Sequence, residues 1–108
     1  MHGFKELDPG KLQTLLQDQA KQGVILIDVR TPAEVVRGYI AGSKNIPLHV
    51  LPTKEAELDK EKPVIFYCQS GGRSAQACTF LAARGFENVY NLTGGFVGWV
   101  RAGLPAQS

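Results

Sequence analysis

Val24-Ile25-Leu26-Ile27-Asp28-Val29 is an apolar run of strand length interrupted by a single carboxylate. A strand with one wet face alternates apolar and polar residues, so a run this nearly continuous predicts a strand covered on both faces and central in a parallel sheet. A second such run, Val64-Ile65-Phe66-Tyr67, follows Pro63 and is β-branched and aromatic. Helical patterns fill the gaps. Asp8-Pro9 reads as an N-cap with proline at the first helical position, and Leu12, Leu15, Leu16 and Ala20 continue at helical spacing until Gly23. Thr31-Pro32-Ala33-Glu34 fits a capping box on a short helix ending at Gly38. Lys44-Asn45-Ile46-Pro47 reads as a brief extended piece, and residues 48–58 as a further helical stretch. Ser74 opens a helix carrying Ala75, Cys78, Leu81 and Ala82 on one face and ending near Gly85. Asn88-Val89-Tyr90-Asn91 is a short strand, and a last helix runs through Phe96, Trp99 and Val100. This alternation predicts one α/β domain over residues 1–108, with a mostly parallel sheet, right-handed crossovers and helices on both faces.

Charge and cysteine usage narrow the function. Twelve basic and ten acidic residues leave a net charge of +2, spread along the chain without a basic stripe, which argues against nucleic-acid binding and leaves small anionic ligands open. No apolar stretch is long enough for a membrane span, and the first eight residues lack the apolar core of a signal peptide, so a cytoplasmic protein without membrane partners is expected. Two cysteines and two histidines (His2 and His49) without metal-ligand spacing predict no metal and no organic cofactor.

The chemistry concentrates in Tyr67-Cys68-Gln69-Ser70-Gly71-Gly72-Arg73-Ser74, where a cysteine leaves an apolar strand and enters a glycine-bearing turn that opens a helix. The first N–H groups of a helix lack internal partners and carry partial positive charge. Amides from Gln69 through Ser74 are therefore expected to converge on the Cys68 sulfur, with Gly71-Gly72 permitting the backbone path. Such surroundings lower a thiol from about 8.5 to roughly 3.5–7.5, and Arg73 adds a fixed cation. Cys68 is thus a candidate nucleophile, whereas Cys78, among apolar neighbours, reads as core. A bond between the two cysteines is not expected. Ser70 and Ser74 read as loop hydrogen bonders, Ser74 as a helix cap, and Trp99 as core. Asp28, Arg30 and Glu34 read as structural: Arg30 and Glu34 stand four apart across a helix start, and Asp28 can accept N–H groups at a strand end. His49 reads as solvated or packed, with a place at the pocket mouth as the alternative.

The chain resembles a rhodanese, or sulfurtransferase, domain over nearly its whole length. Leu26-Ile27-Asp28-Val29-Arg30 with Glu34 and Gly38 is similar to the first signature, and Asn45-Ile46-Pro47 to the segment after it. Cys68 through Ser74 resembles the active-site loop, and Gly94-Gly95 with Trp99 the closing helix. The resemblance implies a five-stranded parallel sheet, a catalytic cysteine at Cys68 and a sulfane sulfur carried as persulfide. Gly38-Tyr39-Ile40 lacks the histidine usual after that glycine, and Gln69 stands where many relatives have a basic residue, so anion attraction falls to Arg73 and the backbone. The loop also lacks the glycine-valine-threonine ending of mercaptopyruvate-specific relatives.

The expected reaction is a two-step transfer of sulfur from a small anionic donor such as thiosulfate to cyanide or a thiol, with Gln69, Ser70, Gly71, Gly72, Arg73 and Ser74 around the substrate. Arg73 orients the donor's oxyanion, with a surface ion pair as its alternative role. Two other readings remain. One is a persulfide carrier or redox-sensing module that passes sulfur to another protein. The other is a phosphatase or arsenate reductase of the same fold, disfavoured because only Gln69, Ser70, Gly71 and Gly72 separate Cys68 from Arg73.

Overall fold

The computed structural model describes residues 3–18 and 23–108. Five parallel strands, β1 (Lys5–Leu7), β2 (Ile25–Asp28), β3 (Lys44–Asn45), β4 (Val64–Tyr67) and β5 (Val89–Leu92), lie in the order β1-β5-β4-β2-β3. The helices are α1 (Pro9–Gln17), α2 (Pro32–Val35), α3 (Leu51–Lys54), α4 (Gly72–Ala83) and α5 (Gly95–Arg101).

The apolar runs become interior strands, with one correction: β4, not β2, is the middle strand, and β2 lies between it and the two-residue edge strand β3. Every residue of β4 is buried. Its side chains alternate between two cores. Val64, Phe66 and Cys68 join Ala77, Cys78 and Leu81 of α4 with Leu51 of α3, while Ile65 and Tyr67 join Leu12 of α1 and Trp99 of α5. Period-two geometry thus explains why the run needs no polar residue: each face meets a helix layer.

Other expectations met the backbone unevenly. Asp8 caps α1 by accepting the Lys11 N–H, but α1 ends at Gln17, and the predicted continuation through Ala20 falls outside the described residues. The capping box at Thr31 forms with both reciprocal bonds. The predicted helix over 48–58 is instead a 3₁₀ turn (Leu48–Val50), α3 and a second 3₁₀ turn (Glu55–Glu57). Pro52, in the first turn of α3, has no N–H to donate to the preceding turn, which accounts for the break between the first 3₁₀ turn and α3. No sequence pattern marks Lys5–Leu7 as a strand: of its three residues only Leu7 is buried, so the edge strand carries no alternation to read. Among the described residues no helix is long and apolar enough to cross a membrane.

Candidate active site

β4 delivers Cys68 to the carboxyl edge of the sheet, and β2 beside it delivers Asp28 to the same edge, since Asp28 is in register with Tyr67. This is where open parallel sheets bind ligands. Gly71 then turns the chain into α4 with φ +115°, a conformation natural only to glycine.

The turn aims donors at sulfur. The Gly71 N–H lies 3.1 Å from Cys68 Sγ, the Ser74 N–H 3.4 Å, and the Ser74 hydroxyl 3.4 Å. Burial alone would push the Cys68 thiol up. Hydrogen bonds from the Ser74 hydroxyl and N–H, and from the Gly71 and Ser70 N–H groups, outweigh it and hold the thiol below its ordinary range. The expected cradle is therefore present but narrower, drawn from Ser70, Gly71 and Ser74. Cys68 itself is only 1% exposed, so its sulfur sits on the floor of the loop. Cys78 provides the contrast: without such donors, burial pushes its thiol far up. Both cysteines are free.

The back of the loop is fixed by α5. Phe96 N–H donates to the Cys68 carbonyl at 2.8 Å and Val97 N–H to the Gln69 carbonyl at 3.1 Å. Gly95 is indispensable to that approach, because a Cβ there would sit 2.5 Å from the Cys68 carbonyl oxygen. The glycine pair at 94–95 is thus a seat for the cysteine loop.

The charged residues pair differently from the expectation. Arg30 turns to Asp28, not Glu34: its Nη2 lies 2.6 Å from Asp28 Oδ2, and the guanidinium is 4.5 Å from the centre of the Phe96 ring. It also donates to the Gly38 carbonyl at 2.7 Å and to Gln69 Oε1 at 3.2 Å, tying the loop to the segment after α2. Glu34 instead takes Arg73, through two bonds of 2.7 and 2.8 Å. That guanidinium, aided by the Thr31 N–H, holds the Glu34 carboxyl down at about 2. Arg73 therefore already has a carboxylate partner, and an incoming anion has to compete with Glu34.

Beside the loop is a cavity of about 440 Å³ lined by Arg30, Ala33, Glu34, Arg37, Gln69 and Phe96. Among the described residues Arg37 is its one cation without an ion-pair partner. Gln69 and Ser70 are exposed at the loop crest, and Gly72 begins α4 with open space at its Cα. His49 is exposed in its 3₁₀ turn and does not line the cavity. Ser74 does not cap α4. It is buried, with its hydroxyl against Cys68 Sγ, the Gly71 carbonyl and Asn91 Oδ1. Asn91 and its partner Glu6 were not anticipated, although the position of Asn91 near the carboxyl end of a strand was a usable signal.

A five-stranded parallel sheet with helices, whose middle strand ends in a cysteine facing the Gly71 and Ser74 N–H groups, defines an α/β domain with a cysteine loop at its carboxyl edge. The Rhodanese-like domain family matches residues 8–102, and the chain belongs to that family. It is 42% identical over 100 residues to a sulfurtransferase of Allochromatium vinosum, covering 93% of this chain and 92% of that protein. It is 34% identical over 108 residues to the thiosulfate sulfurtransferase GlpE of Ectopseudomonas mendocina, covering 100% of this chain and 94% of that one. A crystal structure of a rhodanese-related protein from Thermoplasma volcanium superposes with a TM-score of 0.86 at 31% identity, covering 96% of this chain and 98% of that one.

Proposed function

We propose that the protein is a sulfurtransferase that carries sulfur as a Cys68 persulfide. The observation that carries this reading is the pair of backbone N–H groups, Gly71 and Ser74, directed at Cys68 Sγ from the entrance of α4. A sulfur held as thiolate attacks the outer sulfur of a donor such as thiosulfate. The donor's sulfur–sulfur bond breaks, sulfite leaves with the bonding pair, and a new sulfur–sulfur bond joins the outer atom to Cys68. A nucleophilic acceptor, cyanide or a thiol, then takes that atom and returns Cys68 as thiolate, stabilised by the same donors. No general base is needed, because the nucleophile is already ionised and the departing groups are anions.

In this reading Gln69, Ser70 and Gly72 form the crest over which the donor enters. Arg73 adds positive potential while its fork holds α2, through Glu34, against the loop. Arg37 on the cavity wall is the cation an anionic donor meets without displacing a carboxylate. The phosphatase reading is weakened by the same pairing, since an oxyanion clamp needs the guanidinium that Glu34 occupies.

A carrier role is favoured by a different observation: Arg30 and Arg73 are both paired and Cys68 is almost wholly covered, which disfavours rapid turnover of a small anion. Thiosulfate–cyanide turnover, read as thiocyanate, separates the two. Steady production that disappears in Cys68→Ser supports the enzyme, and a single cyanide-removable sulfur on Cys68 with negligible turnover supports the carrier. Sulfur transfer by Cys68→Ser at the parent rate would refute both.

A further inference from the structure

The Ser74 hydroxyl has one proton and three neighbours that can accept it: Asn91 Oδ1 at 2.5 Å, the Gly71 carbonyl at 3.2 Å and Cys68 Sγ at 3.4 Å. The orientation of the Asn91 amide is not free. Its Nδ2 donates to both carboxylate oxygens of Glu6, at 3.3 and 3.1 Å, and to the Gly71 carbonyl at 3.3 Å. Turning the amide over would place its oxygen against three acceptors, so Glu6 and Gly71 lock Oδ1 toward Ser74. Thr93 Oγ1, 2.8 Å from Glu6 Oε1, steadies the carboxylate in turn.

We propose that Asn91, oriented by Glu6, competes with the Cys68 sulfur for the single Ser74 hydroxyl proton and thereby sets how readily the thiol ionises. With a neutral thiol, Ser74 donates to Asn91, and the Cys68 S–H donates to the Ser74 oxygen. When the sulfur becomes an anion, Ser74 turns its proton to it, and Asn91 Oδ1 is left beside an oxygen with no hydrogen between them. Each ionisation therefore costs the buried Asn91 a hydrogen bond, and Asn91 acts as a brake on the cradle. It is a positioning residue, acting through Ser74 without touching the sulfur. The inference rests on Cys68 being the reactive sulfur, but it concerns the resting thiol and not the transfer step.

The other charged or titratable groups around this sulfur are Arg73 beside the loop, Cys78 further along α4, and the Asp28–Arg30 pair at the end of the neighbouring strand. None of them is altered in the test. The rate of Cys68 alkylation by iodoacetamide is followed against pH, with peptide mass spectrometry assigning the site. Asn91→Leu releases the Ser74 proton to sulfur and lowers the midpoint by roughly one unit, about tenfold more thiolate on the acid side. Glu6→Ala, on an exposed strand residue, frees the amide to turn and shifts the midpoint the same way by less; because the lost carboxylate charge also favours a thiolate, the part due to the amide is the part that disappears in the Ser74→Ala background. Ser74→Ala raises the midpoint, and Asn91→Leu added to it has no further effect, since the shared proton is gone. Unchanged midpoints in Asn91→Leu and Glu6→Ala overturn the proposal, as does a full Asn91→Leu shift in the Ser74→Ala background. The titration reads Cys68 whether or not sulfur is turned over, so this failure is distinct from failure of the sulfurtransferase reading.

Discussion

The entrances of α4 and α5 are built alike and used differently. Each helix begins after a glycine in the left-handed region, Gly71 at φ +115° and Gly94 at φ +77°, and neither has a side-chain cap. At α5 the freed N–H groups of Phe96 and Val97 are satisfied by the carbonyls of Cys68 and Gln69. At α4 two of the donors converge instead on the sulfur of Cys68. One helix start holds the cysteine backbone from behind and the other holds its sulfur from the front. At α5 the Phe96 and Val97 amides fix backbone to backbone; at α4 the Gly71 and Ser74 amides bear on an ionisable atom, the condition that favours a thiolate.

Glycine substitutions break this comparison most sharply. Gly95→Ala would force a Cβ into the Cys68 and Gln69 carbonyls at 2.5 and 2.7 Å, both backbone atoms that cannot swing aside. A loss of about 3 kcal/mol in urea unfolding is expected, from overpacking plus left-handed strain, with the loop displaced and transfer lost. Gly71→Ala meets nothing closer than 3.8 Å and bears only the strain of its positive φ, so about 1–2 kcal/mol is expected. Equal losses in the two variants would contradict the assignment of α5 as the loop's seat.

The smallest effect concerns the tie between α2 and the loop. Glu34 and Arg73 are about one-third exposed, so Glu34→Gln should cost under about 1 kcal/mol. Its pH dependence has a definite sign. A carboxyl lowered from 4.5 to about 2 stabilises the fold fully above 4.5, and the contribution is lost as pH falls through about 2. Unfolding curves of parent and Glu34→Gln should differ at neutral pH and converge near pH 2; a gap that persists at pH 2 would show that the pair's charge is not its source.

The strongly patterned parts of this fold were legible: two apolar runs gave β2 and β4, two of the three interior strands, and Thr31 with Glu34 gave its capping box. The cysteine loop was legible because a double glycine behind a strand-end cysteine has few other physical uses. What escaped was decided by tertiary partners. Arg30 and Glu34 stand at helical spacing, yet each finds a better charge elsewhere, Asp28 two residues back and Arg73 thirty-nine residues on. Asn91, backed by Glu6, meets Ser74 behind the sulfur only because β5 lies between β1 and β4, an adjacency that no local pattern encodes.

The amides at the entrance of α4 are expected to hold the Cys68 sulfur as an anion. Thiolate absorbance in the ultraviolet, titrated in the parent and in Cys68→Ser, measures this directly. A step clearly below the ordinary thiol value of about 8.5, present in the parent and absent from Cys68→Ser, is the predicted result. A Cys68 step at or above that value would contradict it.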